Sequence, residues 1–325
     1  MIAPGSSMQG GIRKTRLAPT PSGFLHVGNA LSFAVTATVA RKIGAVIFLR
    51  IDDMDRERAD PRYVQDIFDT LHFLDIPWDE GPGNSVEFAK EYSQVHRLDI
   101  YRGALEELRT SGRVFACSCS RTRVARDSFE GAYAGTCREK KIPFDAEHVT
   151  WRLQTEPVED VEVKTWRGDN AGGSPGRELQ VKVTLPASMQ DFVVRKRDGF
   201  PAYQLTSVLD DLYFGIDWIV RGEDLWPSTI AQHYLARALG KKAFNDIIFY
   251  HHPLLREAGG HKLSKSAGAT SIQYLRQEGR RPADIYALTG RMIGLREPVG
   301  DWKTLGEAVL QLPSPSPGYQ DRETK

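Results

Sequence analysis

Apolar residues along the chain fall into two alternating rhythms. Lys14 to Ala18 reads as a short strand, and Pro19 and Pro21 stop it, since proline has no N–H for a sheet ladder. Gly23 allows a sharp turn. His26 and Gly28 then open a helix running to about Ile43, with Leu31, Val35, Thr38 and Val39 on one face. Ala45 to Asp52 is apolar on both faces, as in a buried parallel strand. A helix follows from Pro61, with Val64, Ile67, Phe68, Leu71 and Leu74 at helical spacing, and Pro77 and Gly81-Pro82-Gly83 close it. Val95, Leu98, Tyr101, Leu105 and Leu108 predict one helix from Phe88 to Ser111, ended by Gly112. Strand and helix in alternation predict right-handed βαβ units and an α/β fold with a doubly wound parallel, Rossmann-type sheet.

From Val114 to Phe144 this rhythm disappears, and cysteines, arginines and glycines take its place. Such a stretch folds around something other than an apolar core. Short strands are predicted at Trp151–Leu153, Val161–Trp166, Leu179–Val183 and Asp191–Arg195, around a Gly-rich loop at 168–176. Ala202–Phe214 reads as helix, 218–221 as strand, and Ser228 or Thr229 as the cap of a helix to Leu239. Ile247–Tyr250 is the last predicted strand, before helices at 272–277, 282–294 and 304–312. The expected division is 12–113 and 146–250 as two halves of a catalytic domain, 114–145 as an insertion, 251–312 as a loop and helical part, and 313–325 as a disordered tail.

Charge adds little direction. The net charge is +1, so any contact with RNA has to use local basic patches. No apolar run is long enough to cross a bilayer, and the N-terminus lacks the regions of a signal peptide. Three cysteines form an odd set. Together these features predict a cytoplasmic protein using thiols for metal ligation or leaving them free.

Two stretches carry the chemistry. The first is Arg16-Leu-Ala-Pro-Thr-Pro-Ser-Gly-Phe-Leu-His26-Val-Gly28-Asn29, where a strand, a turn and a helix N-terminus meet and suit a phosphate. The second is His261-Lys262-Leu-Ser-Lys265-Ser266, after the last predicted strand. Their order and content resemble the HIGH and KMSKS boxes of class I aminoacyl-tRNA synthetases, in the glutamyl branch. The resemblance covers about Arg13 to Gly294. It implies that ATP and its magnesium lie against His26, Gly28, Asn29 and Lys265, with His26 and Lys265 as the catalytic pair.

The same resemblance implies an L-glutamate pocket from Arg16, Leu17, Ala18, Pro19, Thr20, Asp52, Tyr203 and Arg221. Guanidinium forks suit a dicarboxylate. From the residues alone, Arg221 serves equally as an ion-pair partner of Glu223 or Asp224, and Tyr203 equally as core. Asp52 stands where bacterial glutamyl enzymes usually carry Glu, and Ser207 where they often carry Asn, which points to a slightly longer pocket.

Cys117, Cys119 and Cys137 supply three thiolates, and no histidine lies between His96 and His148 to complete a set. Idle buried thiols are the alternative. Resemblance to the zinc site of the shortened glutamyl-Q tRNA(Asp) synthetases names Tyr133 as fourth ligand of one zinc ion. Those paralogues also lack the large helical part that follows the second box in full-length glutamyl enzymes. The implied function is activation of glutamate without tRNA and its transfer to queuosine in the tRNA(Asp) anticodon, by a monomer. A short glutamate ligase for tRNA 3′ ends or another acceptor, and an inactive binding module, are the alternatives.

Overall fold

The computed structural model describes residues 13–128, 131–156, 160–167, 177–255 and 271–312. The predicted Gly-rich loop, the His261–Ser266 motif with Lys265, and the predicted tail lie outside the described residues.

In chain order the first part forms β1 (Lys14–Leu17), α1 (Val27–Ile43), β2 (Val46–Leu49), α2 (Pro61–Phe73), a single turn α3 (Ser85–Glu87) and α4 (Leu98–Thr110). Next come β3 (Val114–Cys117), α5 (Arg121–Asp127), β4 (Thr150–Leu153), β5 (Asp160–Arg167), β6 (Arg177–Thr184) and β7 (Val193–Arg195). The last part is α6 (Tyr203–Tyr213), β8 (Trp218–Gly222), α7 (Trp226–Ala238), β9 (Ile248–His252), α8 (Ile272–Gln277), α9 (Pro282–Met292) and α10 (Trp302–Leu310).

Six strands make the main sheet, in the order β2-β1-β8-β9-β5-β6. All neighbours are parallel except β6, which pairs antiparallel with β5. The sheet is therefore mixed where a purely parallel one was predicted, because β5 and β6 are adjacent arms of a hairpin. The strand order reverses beside β1, between β2 and β8, and the carboxyl ends of β1 and β8 open there into a crevice. A second, antiparallel sheet, β3-β4-β7, stands apart and carries the cysteine segment.

One apolar cluster joins α1, α2, α9 and α10 to the main sheet, and another joins α4, α6 and α7. α1 is buried nearly all round, not on a single face, because α10 covers its outer side. That closeness requires Gly306: a Cβ there would lie 2.1 Å from Thr38 Oγ1 and 2.9 Å from the Ala34 carbonyl.

The predicted helix 88–111 breaks at Ser93. The Asp53 carboxylate accepts the Ser93 hydroxyl at 2.6 Å and the Gln94 N–H at 2.8 Å, diverting a backbone donor from the helical ladder. A π-helical turn, Phe88–Tyr92, and a 3₁₀ turn, Gln94–Arg97, replace its first half. α7 begins at Trp226, with Pro227 in its first turn; Thr229 lies inside the helix, donating to Leu225 O at 3.2 Å. Neither Ser228 nor Thr229 is its cap. Among the described residues, no helix is long and apolar enough to cross a membrane.

Candidate active site

His26 occupies the N-cap of α1, with Gly28 and Asn29 in the first turn. Its Nδ1 accepts the Gly28 N–H at 3.1 Å, and its own N–H donates to Asn29 Oδ1 at 3.0 Å. In the neutral ring an accepting Nδ1 leaves the proton on Nε2, as a donor. Gly28 is required by this geometry, since a Cβ would sit 2.8 Å from imidazole Cε1. A donor at a helix N-terminus is an anion-holding arrangement.

The chain from Arg16 to Thr20 runs beside Arg50 to Asp52. Leu17 O accepts the Arg50 N–H at 2.8 Å and Pro19 O the Asp52 N–H at 3.0 Å, so the two segments continue side by side past the ends of β1 and β2. Arg16, Arg50, Asp52 and Asp211 are all buried. Arg50 grips Asp52 with Nε at 2.7 Å and Nη2 at 3.1 Å. Asp211 accepts Arg50 Nη1 at 2.7 Å and Arg16 Nε at 3.0 Å. Burial pushes the Asp52 carboxyl above its ordinary value, against the pull of Arg50. Behind this group, Asp210 takes the Arg97 fork at 2.9 Å, the Tyr101 hydroxyl at 2.6 Å and Gln94 Nε2 at 3.0 Å. Gln94 Oε1 in turn accepts the Met54 N–H at 2.8 Å, which fixes the chain just after Asp52.

Arg221 lies on the penultimate position of β8 and is 4% exposed. Its Nη1 donates to Gln232 Oε1 at 3.0 Å and Thr229 Oγ1 at 3.3 Å, and its guanidinium lies 5.0 Å from the Phe249 ring centre. Glu223 instead accepts the Leu254 N–H, at 3.3 Å. Among the described residues, Arg221 Nε and Nη2 have no hydrogen-bond partner. These two atoms form the side of a guanidinium that meets a carboxylate bidentately. Burial chiefly, with Tyr203 opposing and the neighbouring Arg16 charge adding to it, lowers the Arg221 pKa to about 10. An anion entering here relieves both costs. Tyr203, at the start of α6, is 42% exposed and lines the open cleft, so it is not core. Arg16, Arg50 and Arg221 face Asp52 and Asp211, an excess of one positive charge matching a dicarboxylic amino acid of net charge −1.

The cleft has a volume of about 1090 Å³, far more than one amino acid fills. Its lining includes Thr20, Asp52 and Tyr203 together with Cys119, Arg121 of α5 and Arg152 of β4.

In that second sheet, Cys117 ends β3 and Cys119 follows before α5. The sulfurs of Cys117, Cys119 and Cys137 lie within 4.8 Å of one another, all buried and none in a disulfide. Tyr133 Oη is 3.3 Å from Cys117 Sγ and 4.0 Å from Cys119 Sγ, and Cys119 and Cys137 sulfurs are 3.5 Å apart. Ligands about 2.3 Å from a tetrahedral zinc ion are roughly 3.8 Å from each other, so this donor set has the size of such a site. Burial raises the Cys119 thiol to about 11. Burial also works against the Cys137 thiolate, but hydrogen bonds from Ser118 N–H and Tyr133 bring that thiol to about 7. Arg152 lies 3.9 Å from the Tyr133 ring centre, a cation beside the phenol.

Residues 13–296 match the family model described as tRNA synthetases class I (E and Q), catalytic domain. The chain belongs to this family.

Its relatives include a protein from Rhodobacter capsulatus named glutamyl-Q tRNA(Asp) synthetase, 33% identical, the match covering 85% of this chain and 99% of that one. Another, from Syntrophus aciditrophicus, is named glutamate–tRNA ligase 2; it is 32% identical over 86% of this chain, which spans only 58% of its length. A crystal structure of a glutamate tRNA ligase from Elizabethkingia meningosepticum shares the fold, with a TM-score of 0.66 at 22% identity. That match covers 92% of this chain and 65% of the other, so the chain spans just under two thirds of that enzyme. By family the chain is a class I synthetase-type ligase, and ATP and magnesium are the reactants its fold implies.

Of the residues singled out from the sequence of this synthetase, Thr20, Asp52 and Tyr203 line the cleft, while Arg16 and Arg221 lie buried at the penultimate positions of β1 and β8, with Leu17 ending β1. His26, Gly28 and Asn29 sit at the start of α1. Sequence reasoning missed Arg50, Gln94, Asp210, Asp211, Thr229 and Gln232. A signal existed for some of them: Arg50 lies two residues before Asp52 at the end of an apolar strand, hence on the same side, and Asp210-Asp211 interrupts a buried helical face.

Proposed function

We propose that this synthetase activates L-glutamate with ATP in the absence of tRNA and transfers it to queuosine in the anticodon of tRNA(Asp). In the first step a glutamate α-carboxylate oxygen attacks the α-phosphorus of ATP. Pyrophosphate leaves and glutamyl-adenylate forms. In the second the acceptor attacks the adenylate carbonyl and AMP leaves. No protein nucleophile is needed, so the chain contributes position and charge. Arg221 and Arg16 grip carboxylate, Tyr203 flanks them, Asp52 faces the ammonium, and His26 Nε2–H and Lys265 attend the phosphates with magnesium.

The observation that carries this reading is the unpartnered Nε and Nη2 side of the buried Arg221. The Rhodobacter relative, matched over 99% of its length and named glutamyl-Q tRNA(Asp) synthetase, supports the queuosine acceptor. Cys117, Cys119, Cys137 and Tyr133 would hold one zinc ion, which stabilises the second sheet and not the reacting atoms.

The test uses labelled glutamate, ATP and tRNA with or without queuosine. Glutamate-dependent exchange between ATP and pyrophosphate without tRNA is expected, with label appearing on queuosine-bearing tRNA alone. Label on the 3′ end of tRNA(Glu) establishes instead the second reading, a short glutamate–tRNA ligase, which the Syntrophus relative favours. Absence of exchange removes both.

A further inference from the structure

α2 turns an apolar face inward through Val64, Ile67, Phe68 and Leu71, yet Asp66 lies among them with its side chain 4% exposed. A buried carboxylate on such a face is destabilising unless its lone pairs are used. Here they are used across three elements. Asp66 Oδ1 accepts Arg276 Nη2 of α8 at 2.6 Å. Asp66 Oδ2 accepts the Leu25 N–H and the Thr70 hydroxyl, each at 3.4 Å.

Leu25 immediately precedes His26. Its N–H is held by Asp66, and its carbonyl accepts the Ile272 N–H, the first of α8, at 2.7 Å. His26 and Ser271 form an antiparallel bridge, and Ser271 caps α8 by accepting the Tyr274 N–H at 3.1 Å. The next peptide N–H, that of His26, goes to Asn29. Two successive peptide planes before the imidazole are thus fixed, one by Asp66 directly and the other through α8, which Arg276 ties to Asp66. Arg276 also lies over the Phe73 ring, 5.8 Å from its centre, so its head is held from a second side.

We propose that Asp66 is a positioning residue for nucleotide activation: its carboxylate joins the Leu25 backbone to Arg276 of α8 and so sets the direction of the His26 imidazole. The inference rests on the reading of His26 as the phosphate donor given above. A group that only stabilises the fold would lower melting temperature and leave per-site kinetics unchanged. A group that aims His26 changes the rate of the ATP step in protein that is still folded.

The experiment uses the full chain with Asp66→Asn, Arg276→Gln and the double variant. Glutamate-dependent exchange between ATP and pyrophosphate gives kcat and both KM values, calorimetry gives the affinity for ATP, and melting curves give the folded fraction. Each single variant is expected to lower kcat per folded molecule by about 10- to 100-fold, the range for a small misplacement of a reacting group. KM for ATP rises, and KM for glutamate stays within about twofold of the unaltered protein. The double variant is no worse than the worse single one, as for two halves of one link. Unchanged kcat, a parallel rise in KM for glutamate, or additive losses overturns the proposal. If Asp66→Asn fails to fold, Arg276→Gln, on the more exposed arm, carries the same test. If the unaltered protein performs no exchange, the proposed function fails first. ATP affinity then decides the link by itself, and an affinity unchanged in both variants overturns it.

Discussion

Arg221 illustrates how a single residue can be poor for stability and good for binding. Its side chain is buried, one terminal nitrogen is satisfied by Gln232 and Thr229, and the other edge has no partner. Removing a buried charge with unpaired donors costs the fold little, whereas removing a carboxylate's fork costs the complex a charge-assisted pair. Arg221→Gln is therefore expected to raise KM for glutamate about 100-fold, equivalent to roughly 3 kcal/mol. The melting temperature should be unchanged or higher. Exchange kinetics and a melting curve check both, and a lower melting temperature with normal KM contradicts this account. Arg221 was a candidate through the family resemblance alone, since its place at the end of a short apolar strand fits an ion pair equally well. Its partners were not, because Thr229 and Gln232 come from the next helix, and nothing in the spacing says which side of that helix meets β8.

Elements formed by short-range rules agree with the sequence; those shaped by a distant side chain do not. The α1, α2 and α8 boundaries follow from caps, prolines and apolar spacing. The break before α4 does not, since it comes from Asp53, forty residues earlier in the chain, reaching Ser93 and Gln94. The cysteine segment is a third case. Loss of apolar period marked it as distinct; β3, which leads into it, pairs with β4 and β7 in a second sheet packed on the larger apolar cluster, while Phe115, Tyr133 and the three sulfurs form a small cluster of their own. Metal analysis of the purified chain is expected to return one zinc ion. Tyr133→Phe should retain that stoichiometry while weakening affinity about 10- to 100-fold in competition with a chromophoric chelator. Equal affinity would reduce Tyr133 to packing beneath Arg152.

The whole molecule is sensitive to acid through histidines buried near the main sheet. Burial lowers His233, packed against Phe244 and Phe249, from 6.5 to about 4, and also lowers His251 and His252. A depressed folded pKa means that the unfolded chain binds protons first as pH falls. The contribution to stability is full above pH 6.5 and is lost toward about pH 4. For His233 the loss at pH 5 is about 2 kcal/mol. Urea midpoints should fall between pH 7 and pH 5, and His233→Phe should flatten the profile by about that amount. A His233→Phe profile as steep as that of the unaltered chain would contradict this.

The sequence by itself determined the βαβ rhythm, the helix start at His26 and the distinctness of the cysteine segment. Each of these depends on local periodicity, capping or composition, so neighbours in the chain suffice to specify it, whereas Arg16, Asp52, Tyr203, Arg221 and Tyr133 were named as site residues by family resemblance. Only the tertiary structure decided that β6 runs antiparallel, that β4 and β7 pair in a second sheet, and that Arg50 and Asp211 link Arg16 to Asp52. It alone brought Asp66, Leu25 and Arg276 together. Such pairings join groups far apart in sequence, and charge or polarity at one position does not name its partner until burial brings distant donors and acceptors together.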